Sequence, residues 1–157
     1  MWERVLQSAE RTGAVLLLAV VIIFVVDVAT RYAVGTTFSF IVELEWYLTS
    51  VAVCLGIAPT LAGDAHVRVD ILRQRMRERN RDAVDRVGHL LLLVPWCAFV
   101  VYAAGRYTYG SYLVAEGSPD PGGLPYRYAV KAFIVIGFAM LATVGLSLAL
   151  RRPPRDG

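Results

Sequence analysis

Four long apolar runs, each nearly free of charge, constrain this chain more than any other feature. They cover about residues 13–34, 40–62, 87–109 and 129–150. An α-helix of ~17–25 apolar residues spans the ~30 Å hydrocarbon core of a bilayer. In that core no water satisfies backbone N–H and C=O groups, so each run must close its hydrogen bonds internally, as a helix does. The hydrophobic content of 57% also exceeds the ~45–50% of soluble domains. The expected fold class is an all-α integral membrane protein: one domain over residues 1–157 with four transmembrane helices.

The polar flanks refine this plan. Trp2, Val5, Leu6 and Ala9 share one helical face, with Glu3, Arg4, Glu10 and Arg11 largely elsewhere. The pattern predicts a short N-terminal interfacial helix over residues 1–12. The first apolar run is long and lacks a convincing cleavage site, so it reads as an uncleaved anchor. Between the second and third runs, Leu72, Met76, Ala83, Val84 and Val87 recur at helical intervals. Arg81–Asp85 and Asp82–Arg86 are i,i+4 pairs. This predicts a cytoplasmic amphipathic helix on the membrane face, leading into the third span. Pro59 is expected to kink the second span. Tyr102, Tyr107, Tyr109 and Tyr112 mark an aromatic belt at the far end of the third.

Basic residues set the orientation. Of the sixteen Lys and Arg residues, twelve fall on the side that carries both termini and residues 63–86. Arg31, Arg106, Arg127 and Lys131 alone fall on the other. The crowded side is therefore expected to be cytoplasmic. A pI near 9.1 is explained by this asymmetry, and no nucleic-acid partner is expected.

No enzymatic machinery stands out. There is no Gly-rich phosphate loop, and His66 and His89 lie near one membrane face rather than deep in the spans, where haem ligands would sit. Cys54 and Cys97 stand in separate runs and form no CxxC motif. No metal site, cofactor or nucleophile–base pair is expected. The informative groups are intramembrane charges. Asp27 lies well inside the first span, one helical turn from Arg31. A charge there costs a few kcal/mol by insertion scales, so it should face protein. The pair reads as self-neutralising, or as a contact for a partner subunit. Glu43 and Glu45 open the second span on different faces; one is placed to reach Arg31 or Arg106, the other a partner or solvent. Lys131 is expected to snorkel to the outer interface. The loop around Glu116, Asp120, Pro125 and Arg127 carries three prolines, which restrict its backbone.

Two segments in order carry a family resemblance. One is Gly63-Asp64-Ala65-His66-Val67-Arg68-Val69-Asp70, followed by Ile71-Leu72. The other is Gly122-Gly123-Leu124-Pro125, with Lys131 downstream. With the four-span plan, the chain resembles the small permease subunit of tripartite ATP-independent periplasmic (TRAP) transporters over nearly its whole length. The second segment is similar to the branch often labelled mannitol/chloroaromatic. The resemblance implies a bacterial inner-membrane protein serving ion-gradient-driven symport, with organic acid uptake the expected class. Its partners would be a large permease subunit, which holds the substrate and sodium sites and moves in an elevator-like fashion, and a periplasmic solute-binding protein. The small subunit would be a static brace without ATP. Gly63, His66, Arg68 and Asp70 would form a cytoplasmic family motif; Glu116, Asp120, Pro125, Arg127 and Lys131 would belong to a docking loop. Two rival classes are an autonomous homo-oligomeric transporter, with Asp27 as its coupling carboxylate, and a membrane redox or thiol enzyme. The second is disfavoured by the missing Cys pair.

The orientation is testable in whole cells lacking Cys54 and Cys97. An impermeant thiol reagent should label Asp120→Cys and leave Asn80→Cys unlabelled. The reverse pattern would overturn the topology.

Overall fold

The computed structural model describes residues 2–63 and 78–150. Helices α1 (Trp2–Val34) and α2 (Ser39–Ala62) are joined by a short turn at Gly35, whose φ of +74° suits glycine. Helix α3 (Glu78–Gly88) passes through a π-helical turn, His89–Leu93, directly into α4 (Val94–Leu113). Helix α5 (Arg127–Leu150) follows the loop 114–126. Among the described residues, four helical stretches are long and apolar enough to cross a membrane: Trp2–Val34, Ser39–Ala62, Ala83–Leu113 and Arg127–Leu150.

The N-terminal segment departs from expectation. It is not a separate interfacial helix but the first turns of the 33-residue α1. At ~1.5 Å per residue a helix of that length is about 50 Å long, so it projects well beyond a ~30 Å hydrocarbon core. Continuity follows from one unbroken seam. Leu6, Ala9, Gly13 and Asp27 are buried, and Leu16, Val20, Ile23 and Thr30 partly so. Their 3-4 spacing keeps one stripe of α1 turned inward from end to end. Residues 78–88 are helical and lead directly into the third span. His66, Arg68 and Asp70 lie outside the described residues, while Gly63 closes α2 through its N–H to the Pro59 carbonyl (2.9 Å).

The π-helical turn lies just before Pro95. A proline has no N–H and its ring presses on the carbonyl four residues back; a wider preceding turn relieves that clash.

The spans form an open layer rather than a closed bundle. Helix α1 packs on α2, α2 on α5, and α5 on α4 and the π-helical turn. Across the layer the spans run first, second, fourth, third. The flanking helices α1 and α4 leave wide apolar faces exposed, including Val15, Leu18, Ile22 and Val25 on one and Trp96 and Phe99 on the other. A core of Leu6, Ala58, Leu61, Cys97, Leu141 and Val144 lies towards the end opposite the loop.

Between lipid-facing helices no hydrophobic gain drives association, so small residues that admit close backbone approach set the seams. Gly13 sits against α2, where an added Cβ would come 3.2 Å from the Ala52 carbonyl oxygen. Gly137 is tighter: a Cβ there would collide with the Cys54 carbonyl. Gly137→Ala should therefore push α2 and α5 apart and destabilise the protein by about 1–3 kcal/mol. Gly105, with open space around it, is the control; its alanine variant should be neutral or gain up to about 1 kcal/mol. Equal thermal unfolding of the two variants in detergent would contradict the close α2–α5 seam.

Candidate functional site

Charge is distributed unevenly along the spans. Residues 12–26, 46–63, 90–105 and 132–150 contain no Asp, Glu, Lys, Arg or His. The ionisable side chains Asp27, Arg31, Glu43, Glu45, Arg106, Arg127 and Lys131 instead gather where α1 meets α2 and α4 meets α5, here termed the loop end.

Helix periodicity brings Asp27 and Arg31 together. Arg31 Nη2 donates to Asp27 Oδ2 at 2.8 Å. Asp27 is 2% exposed, whereas the Arg31 side chain is 55% exposed. The carboxylate therefore sits in the α1–α2 seam and the guanidinium reaches outward, with donors to spare. Glu45 lies on the neighbouring face of α2; its Oε1 is buried and has no hydrogen-bond partner among the described residues.

Of the two glutamates, Glu43 meets neither Arg31 nor Arg106; its cation is Arg127, whose Nη2 lies 3.3 Å from Glu43 Oε1. The Ser118 hydroxyl also donates to Oε1, and the Leu124 N–H donates to Oε2 at 2.5 Å. An acceptor-only carboxylate, 7% exposed, thus gathers three donors from the loop and the start of α5. The reason is the layer order: α2 and α5 are neighbours, so the head of α2 faces that loop. Arg106 instead lies 3.4 Å from the Tyr102 hydroxyl on its own helix.

Lys131 stands near the head of α5 and its ammonium reaches the base of the loop, where its side chain is 13% exposed. Its Nζ donates to Glu116 Oε2 at 2.5 Å and to Ser111 Oγ at 3.2 Å, and stands 3.8 Å over the Tyr107 ring. There the ammonium meets a carboxylate, a hydroxyl and an aromatic face. Glu116 lies outside the spans. The Lys131 hydrogen bond, then that of Ser111, holds its carboxyl below the usual range.

These contacts shape the loop. The Arg127 N–H donates to the Glu116 carbonyl, and the Ser118 N–H to the Leu124 carbonyl, both at 3.0 Å. Stem residues Ala115 (φ 45°) and Tyr126 (φ 65°) are held in the left-handed region, which for non-glycine residues costs on the order of 1–3 kcal/mol each. Gly123 passes where any Cβ would collide with Ser118 and stand 2.7 Å from Glu43 Oε2. Pro119, Asp120, Pro121, Gly122 and Pro125 stay exposed.

Of the expected docking residues, Glu116, Arg127 and Lys131 are therefore engaged within the chain, and Asp120 faces outward. Sequence reasoning missed Ser111, Ser118 and the Leu124 amide. The available signal was Lys131 itself, an ammonium inside a span that needs nearby acceptors. Among the described residues no cluster of three or more His, Cys, Asp or Glu is placed to hold a metal.

The family model described as "Tripartite ATP-independent periplasmic transporters, DctQ component" matches residues 20–153. No curated protein matches the chain at a significant level.

The Glu116 pair yields a pH prediction. A carboxyl whose folded pKa is lowered adds stability above its unfolded value, near 4.5, and loses it as pH falls through the folded value. Wild-type protein should lose thermal stability more steeply than Glu116→Gln as pH drops below about 4.5. Parallel pH profiles would contradict the pairing.

Proposed function

Because the chain belongs to the DctQ family, the small permease component of TRAP transporters, we propose that it braces the large permease subunit of a solute importer and helps dock the periplasmic binding protein. The observation that carries this reading is the charge-free middle of every span. A hydrated solute crossing this chain alone would meet no polar side chain capable of ionic contact through the hydrocarbon centre. Such a layer suits a scaffold, and its exposed apolar flanks suit lipid and a second membrane subunit.

In this reading the chain sits in the bacterial inner membrane with both termini in the cytoplasm, and its loop end is periplasmic. Sodium coupling belongs to the large subunit; this chain needs no cofactor and performs no catalysis. The loop 114–126 meets the binding protein through its exposed tip. Three prolines and the internal bonds restrict that tip before contact, which limits the ordering entropy lost on binding. A charge at a contact rim acts mainly on association rate and salt dependence.

The test is uptake into vesicles holding the large subunit, this chain and the binding protein. Uptake should require all three, depend on sodium and ignore ATP. Asp120→Lys should lower the initial rate about three- to tenfold at limiting binding protein and reduce its salt sensitivity. Unchanged uptake across that range would remove the docking role. Uptake by this chain alone would remove the accessory-subunit reading.

A further inference from the structure

The loop's residues separate into those that hold it and those that face outward. Glu43 holds it through Ser118, the Leu124 amide and Arg127. Glu116 and Lys131 secure its base. Outward stand Pro119, Asp120, Pro121 and Gly122, and Asp120 is the one charged residue among them. The Asp120 N–H is itself fixed by the Ser118 hydroxyl at 3.0 Å, and its carbonyl accepts from the Gly123 N–H at 3.0 Å. Ser118 thus touches both the buried carboxylate and the tip.

We propose that Glu43 is a positioning residue for docking: by gathering Ser118, Leu124 and Arg127 it fixes the Pro119–Gly122 tip so that Asp120 faces a basic surface on the periplasmic binding protein. This rests on the docking reading above and deepens it. Glu43 itself is buried in α2 against the loop 114–126. Its effect passes through Ser118 to the Asp120 backbone.

The chemistry of the site requires a carboxylate. All three partners are donors and Glu43 supplies only acceptors. Glutamine keeps the shape but turns an NH₂ toward one set of donors, so it cannot accept from all three. The left-handed stems at Ala115 and Tyr126 favour departure from the observed loop once that grip is weakened. Complementarity of charge selects the partner surface. A single outward carboxylate on a fixed tip favours a lysine- or arginine-bearing face and repels an acidic one.

The experiment uses the full chain reconstituted with the large subunit, with amide exchange and binding-protein association measured on the same samples. Glu43→Gln should leave the pair assembled, speed exchange of the peptide containing Leu124 about tenfold or more, and slow association by a similar factor. The salt dependence of association should persist, because Asp120 keeps its charge. Asp120→Asn should do the opposite: flatten the salt dependence and leave Leu124 protected. Ser118→Ala removes both a donor to Glu43 and the acceptor of the Asp120 N–H, and should reproduce the Glu43→Gln pattern; it carries the test of the link from Glu43 through Ser118 to Asp120 if the Gln variant fails to assemble. Unchanged Leu124 protection, or a loosened loop with unaltered association, would overturn the positioning role. If Asp120→Lys impairs association while Glu43→Gln and Ser118→Ala do not, the inference alone falls. If Asp120→Lys also has no effect, the docking reading falls with it.

Discussion

No water reaches the hydrocarbon core to solvate a charge or a backbone amide, and the architecture of this chain follows from that constraint. The backbone answers with helices. The side chains answer by leaving the middle of every span free of Asp, Glu, Lys, Arg and His. Where charges do enter the loop-end portions of the spans, most find partners nearby. Asp27 takes Arg31 on the next turn, Glu43 takes Arg127, and Lys131 takes Glu116. Two of these pairs cross between elements, so neutralising charge near the membrane also ties the loop to the helices.

The same environment explains how the helices meet. With apolar side chains as content in lipid as in protein, packing relies on close approach. Gly13 and Gly137 admit the neighbouring backbones, and α2 becomes the shared neighbour of α1 and α5. The product is an open layer with two long apolar flanks. In the proposed function, breadth serves bracing: a layer offers a second subunit more surface than a closed bundle of the same length. The fixed loop adds a rigid feature at one edge of that brace.

The spans were legible because length and hydropathy alone decide them, and the Asp27–Arg31 contact because i,i+4 spacing is local. Three things were not legible. The break expected near residue 12 is absent, because the inward stripe of Leu6, Ala9 and Gly13 continues through the polar segment. Glu43 and Arg127 are 84 residues apart, and no local pattern links them. Finding that partner requires knowing that α2 neighbours α5. The partners of Lys131 are the third, since nothing in the sequence places Glu116 and Ser111 within its reach. Hydropathy fixes which segments cross the membrane, whereas side-chain partners depend on the lateral order of the helices.

The central claim is that this chain works as one part of a larger membrane assembly. Native mass spectrometry of the chain co-expressed with a large TRAP permease subunit, released from lipid nanodiscs, tests it most directly. The account predicts a stable heteromeric complex containing both chains, with no separate population of homo-oligomers of this one. Recovery of the chain only as a monomer or homo-oligomer, with the large subunit fully active in its absence, would contradict the account.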